Sequence, residues 1–86
     1  MGIEFKIWGV IVHLNREAGC WAAQSRPELE QLLNAIPEPW GTIVRGAIAV
    51  HKWAFARSMG ADGLDLHFNW FGFLHWFGPN GTPQPC

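Results

Sequence analysis

Six of the chain's twelve aromatic side chains, Phe68, Trp70, Phe71, Phe73, Trp76 and Phe77, fall within ten consecutive residues. Rings at that density cannot all face water, because each Phe or Trp brings roughly 150–250 Å² of surface that is most stable when buried or bound. A second apolar segment, 3–14 (IEFKIWGVIVHL), adds Phe5 and Trp8 near the other end. Both segments are rich in β-branched and aromatic residues and lack Pro, so the pattern predicts two long strands, 3–14 and 64–77, with room for a bulge at Gly9.

The intervening stretch has helical spacing. Asn15 offers an N-cap ahead of Arg16, and Ala18, Trp21, Ala22, Leu29, Leu32, Leu33 and Ile36 keep one face. Ser25-Arg26-Pro27-Glu28 interrupts that face, and Ser25 with Glu28 has capping-box spacing, which predicts a break near 24–26. Pro37-Glu38-Pro39 forces a turn, and a second helix is predicted over Trp40–Met59, apolar around much of its circumference. Arg45, His51, Lys52 and Arg57 interrupt it too often for a membrane span. Gly60-Ala61-Asp62-Gly63 supplies a turn, and the last nine residues hold three Pro and two Gly. The expectation is therefore one α+β domain over 1–78 in β-α-α-β order, two long antiparallel strands packed on a helical hairpin, followed by a flexible tail at 79–86.

Side-chain parity then assigns the faces of the sheet. In the first strand the even positions begin Glu4, Lys6, which leaves Ile3, Phe5, Ile7 and Ile11 as the clean apolar set. In the second the odd positions begin Asp65, His67, Asn69, which leaves Leu64, Leu66, Phe68 and Trp70. The expected core joins Ile3, Phe5, Ile7, Ile11, Leu66, Phe68 and Trp70 to Leu29, Leu33, Ile36, Ile43, Ala47, Ile48 and Phe55 from the helices. On that assignment the opposite face carries a contiguous patch of Trp8, Val10, Val12, Leu14, Phe71, Phe73 and Phe77, and an apolar patch on a small domain marks an interface. Two-stranded sheets are also marginal alone, so the sheet is expected to be extended by homo-oligomerisation.

Composition excludes other classes. Net charge is −1 with 15% charged residues, which provides no basic stripe for nucleic acid. The start, Met1-Gly2-Ile3-Glu4, has no basic segment, so no secretory signal peptide is expected in this chain, and no compartment follows. Cys20 and Cys86 show no zinc spacing and stand either as free thiols or as a disulfide, within the chain or between chains. His13, His51, His67 and His75 lack metal-binding spacing, and His51 reads as a core histidine. A carboxylate one turn before Cys20, Glu17, opposes thiol activation. No catalytic residue, metal or cofactor is expected, and an enzyme is not.

In composition alone, the Trp-rich ends and the Ala/Gly/Ile-rich middle resemble small bacterial toxins and bacteriocins that assemble on or insert into membranes, which implies a membrane-active protein. The residues themselves favour a small structural or interaction protein that self-associates through an aromatic sheet face. A carrier of an apolar ligand, held between sheet and helices, is the third expectation.

Overall fold

Residues 3–14 do not run as one strand. The Lys6 N–H donates to the Gly9 carbonyl at 2.7 Å and the Gly9 N–H to the Lys6 carbonyl at 3.3 Å, closing a two-residue turn at Ile7-Trp8. The second aromatic segment folds back in the same way. The Asn69 side-chain oxygen accepts from the N–H groups of Phe71 and Phe73, both at 3.0 Å, and Gly72 takes the left-handed φ of +86° that completes the turn. Each expected long strand is thus a β-hairpin.

In the computed structural model, which describes residues 2–86, the elements are β1 (Gly2–Phe5), β2 (Gly9–Leu14), α1 (Arg16–Ala23), α2 (Leu29–Leu33), α3 (Trp40–Arg57), β3 (Gly63–Asn69) and β4 (Leu74–Asn80). Met1, the first residue of the expected domain, lies outside the described residues. The four strands form one antiparallel sheet in the order β1-β2-β3-β4. The α+β class stands, and the expected antiparallel pairing of the two ends is present as β2 on β3. The order β-α-α-β is corrected to β-β-α-α-α-β-β, because a tight turn divides each apolar end.

Local sequence explains the helices. The Asn15 side chain accepts from the Ala18 N–H at 2.8 Å and caps α1. Pro27 ends that helix's reach, and Ser25 turns the chain at φ +55°. The capping box is absent, since Glu28 binds Arg26 and Ser25 accepts from Lys52. Arg45 on α3 reaches back to Glu30 at 2.9 Å and Glu38 at 3.4 Å, tying α2 and its loop to the long helix.

Register decides which side chains meet the helices. Val10 faces Phe68, Val12 faces Leu66 and Leu14 faces Leu64, so even residues pair with even ones across β2 and β3. The β1–β2 turn pairs Ile3 with Val12 and Phe5 with Val10, odd with even. Counting by twos through Ile7-Trp8 therefore assigns β2 to the wrong face. Val10, Val12 and Leu14 are buried, packed with Val44, Ile48 and Phe55 of α3 and Ala18 of α1, and are not available as an interface. The second hairpin shifts parity too, pairing Leu66 with Phe77, whose ring meets Phe55 at 4.9 Å. Of the expected core, Leu33, Ile36, Ile48, Phe55, Leu66 and Phe68 are buried, and Ile3, Leu29, Ile43 and Ala47 pack partly against them. Ile11 points to the other sheet face, whereas Phe5, Ile7 and Trp70 are exposed at its end.

The C-terminal segment expected as a flexible tail is held down. Ala61 N–H donates to the Thr82 carbonyl and Gln84 N–H to the Met59 carbonyl, both at 2.8 Å, and Arg16 binds the carbonyls of Gly60, Gln84 and Pro85. Cys20 and Cys86 form a disulfide across 66 residues of sequence. In the chain-entropy model a loop of that length is worth about 4 kcal/mol. Three prolines lower the conformational freedom of the unfolded segment and do not prevent its docking.

The faces are separable by mutation. Val12→Asp buries an unpaired carboxylate, costs several kcal/mol and should abolish the cooperative thermal transition. Ile11→Thr, a β-branched replacement on the other face, should lower stability by about 1 kcal/mol or less. Thermal melts of the two variants reverse in order if the faces are assigned wrongly.

Candidate functional site

Because Gly9 pairs with Asn69, the two hairpin turns emerge side by side at one end of the sheet. The close approach requires glycine: a Cβ at Gly9 would lie 2.0 Å from the Phe68 carbonyl oxygen. Trp70 then locks the turns together. Its indole N–H donates to the Ile7 carbonyl at 2.7 Å, and its ring stacks on Phe5 with centroids 6.3 Å apart and planes at 8°. Trp40, at the start of α3, supports Trp70 from below at 6.2 Å and contacts Phe68 at 6.1 Å.

The outcome is an aromatic end with little shelter. Ile7 is 99% exposed, Phe71 86%, Phe73 70% and Phe5 62%. No charged residue lies in either turn between Ile7 and Gly9 or between Asn69 and Phe73, and the neighbouring Lys6 is paired with Glu4 at 3.1 Å. The surface continues onto α3 through an open cleft of about 320 Å³ between Ile43, Val50 and the Phe68–Leu74 hairpin.

The sheet face away from the helices is polar and aromatic. His13 lies between Glu4 and Asp65, with Nε2 and Nδ1 each 2.7 Å from a carboxylate oxygen. Burial alone would lower the His13 pKa, but hydrogen bonds to Asp65 and Glu4 outweigh it and hold it above 6.5. Beside it Trp8 stacks flat on His67 at 5.4 Å and meets the edge of His75 at 5.1 Å, while Trp76 meets His67 at 4.6 Å. Burial, and then proximity to His75, push the His67 pKa below 6.5.

The seven residues expected as one interface are therefore divided. Trp8, Phe71 and Phe73 are exposed, in or beside the turns; Val10, Val12 and Leu14 are core; Phe77 is half-buried against Phe55. Phe5, Ile7 and Trp70, expected in the core, join the exposed end instead. The Asn69…Gly72 spacing was the available signal for the second turn. The first turn carries no Gly or Asn in its two central positions and offered none. His51, expected in the core, is exposed on α3 at a non-helical φ, ψ of −118°, 17°.

Among the described residues no three His, Cys, Asp or Glu side chains are grouped to hold a metal ion, and no helix is long and apolar enough to cross a membrane. A groove of about 510 Å³ lies beside the disulfide, lined by Trp53, Arg57 and Pro85, at a site built from the docked tail rather than from the turns. Compared with models of protein families, with curated proteins and with solved structures, the chain finds no match.

The Trp70–Ile7 bond can be removed with little change of shape. Trp70→Phe keeps an aromatic ring but no N–H, and should cost about 1 kcal/mol while raising hydrogen exchange in residues 6–9. Unchanged exchange in that turn would mean the two hairpins hold their places independently.

Proposed function

We propose that the protein is a small non-catalytic interaction module that self-associates through the aromatic end of its sheet. The observation that carries this reading is the uncharged surface of Phe5, Ile7, Trp70, Phe71 and Phe73, exposed yet fixed in place by the Trp70–Ile7 bond and the Phe5–Trp70 stack. A preformed aromatic surface binds without a large ordering cost, and buried Trp and Phe dominate interface energies. A two-fold contact places each residue near its own copy or its neighbours, and a surface without charge meets itself without like-charge repulsion. A standard interface of about 800 Å² per partner is roughly a sixth of the 4832 Å² surface of the chain, which two turns and the adjoining α3 cleft can supply.

End-to-end pairing also fits the edges better than growth of the sheet. Strand β1 has only four residues and carries Glu4, while β4 contains Pro79 and a register shift beside His75; both are devices that blunt an edge. A second reading, contact with a lipid surface, is favoured by one observation. Ile7 and Phe71 project from the turn tips with Trp8 and Trp70 half-exposed behind them, a distribution suited to the bilayer interface.

Sedimentation velocity at about 50 μM, well above a micromolar Kd, should show a dimer or larger species for the wild type. The double variant Ile7→Asp, Phe71→Asp should be monomeric with an unchanged circular-dichroism spectrum, because both positions are solvent-exposed in the monomer. A monomeric wild type that floats with phosphatidylcholine vesicles would replace self-association by the lipid reading. A monomer that binds no vesicles would remove both.

A further inference from the structure

A neutral imidazole has one N–H, yet both ring nitrogens of His13 face carboxylate oxygens at 2.7 Å, Nδ1 to Asp65 and Nε2 to Glu4. Only the doubly protonated ring donates to both. The three residues sit on adjacent strands: Glu4 on β1, His13 on β2 and Asp65 on β3. The bridge runs across the sheet and is an ionic link between the edge strand and the centre.

We propose that protonated His13 is a clasp that holds β1, and with it the Ile7 turn, in place, so that the aromatic end is assembled at mildly acidic pH and loosens as His13 loses its proton. Loss of the proton turns a nitrogen lone pair toward one carboxylate and breaks one of the two bonds. Asp65 is the less exposed partner and is also approached by Asn80 Nδ2 at 3.4 Å, whereas Glu4 is half-exposed on a four-residue edge strand. The bond to Glu4 is therefore the one released. The charged and titratable groups facing His13 are Glu4 and Lys6 from the first hairpin, Asp65 and His67 from β3, and His75 beyond them on β4; the helices pack on the opposite face.

The direction of the pH dependence follows from the pKa shifts. His13 titrates above 6.5 in the folded chain, so its contribution is complete below 6.5 and is lost as pH rises through the raised value. Glu4, held below 4.5 by its hydrogen bond to His13 and then by Lys6, keeps its half of the clasp until pH falls through that lowered value. The consequence reaches the turns directly. β1 ends at Phe5, which stacks on Trp70, and continues into Ile7, whose carbonyl receives the Trp70 indole N–H.

The inference rests on the self-association reading only for its functional consequence, and its test uses protein dilute enough to be monomeric. The Trp70 indole N–H and the backbone amides of residues 2–5 are followed by hydrogen exchange from pH 5.5 to 8.5, corrected for intrinsic rates and referenced to Leu66. Protection should fall with rising pH, by about tenfold for each unit by which the folded His13 pKa exceeds its unfolded value. His13→Asn should remove the step, and Glu4→Gln should shrink it while leaving the Leu66 amide unaffected. An NMR titration of the wild-type His13 ring, expected above 6.5, decides the matter if His13→Asn fails to fold. A His13 pKa at or below 6.5, pH-independent protection, or a step that survives in His13→Asn would overturn the clasp. Absence of self-association would leave each of these readouts unchanged.

Discussion

The β2–β3 ladder is the constraint from which the rest of the domain follows. Its register puts Val10, Val12, Leu14, Leu64, Leu66 and Phe68 on one face, all of them buried. Burying a Leu, Val or Phe side chain is worth roughly 1.5–3 kcal/mol each, so this face must be covered, and the three helices between β2 and β3 are the available cover. The ladder also sorts the two ends of the sheet. Chain entry to α1 and exit from α3 lie at the Leu14–Leu64 end, where Asn15, Arg16 and the docked tail satisfy the backbone. Both outer strands are attached by tight turns, which leaves those turns together at the Gly9–Asn69 end.

The two ends are consequently stabilised by different chemistry. At the helix end a disulfide, a capping side chain and an arginine bound to three carbonyls fix the backbone. At the turn end each turn is closed by its own backbone and Asn69 hydrogen bonds, and the two turns are joined to each other by the Trp70 indole hydrogen bond and stacked rings. Such an end is rigid while its contacts hold and opens at low cost when one is lost, because few buried apolar contacts secure β1 beyond Ile3. Its exposed rings and its dependence on an edge strand are the same design property seen from two sides.

Much of this was legible in the residues. The α+β class, the Asn15 cap, the interruption at Ser25–Glu28 and the helix-facing set Leu64, Leu66 and Phe68 all follow from local chemistry or period-two patterning. The misassigned faces trace to one physical cause, since alternation identifies a face only within an unbroken strand. A two-residue turn at Ile7-Trp8, lacking the Asn-Gly type of signal, reversed the phase, so that β2 turns Val10 and Val12 toward the helices in place of Ile11, while Phe5, on the same face as its partner Val10, is left exposed at the sheet's end. At the second turn the Asn69 side chain supplies the hydrogen bonds that Gly72 completes, a pattern hidden among four bulky rings. For the tail, proline content argued for disorder while the decisive terms were tertiary: donors at Ala61, Gln84 and Cys86 with carbonyl partners, and a thiol within reach.

The central proposal is that the aromatic end, with the α3 cleft beside it, is the surface through which copies of the chain meet, rather than an edge of the sheet or the far side of α3. It is tested most directly by recording ¹H–¹⁵N spectra as protein concentration is raised from dilute to self-associating conditions. Shift changes and line broadening should begin at residues 5–8 and 69–73, with the indole signals of Trp70 and Trp8 among the first to move. Changes centred on the outer edges of β1 and β4, or on Trp53 and Arg57 of α3, with the turns unaffected, would contradict the account.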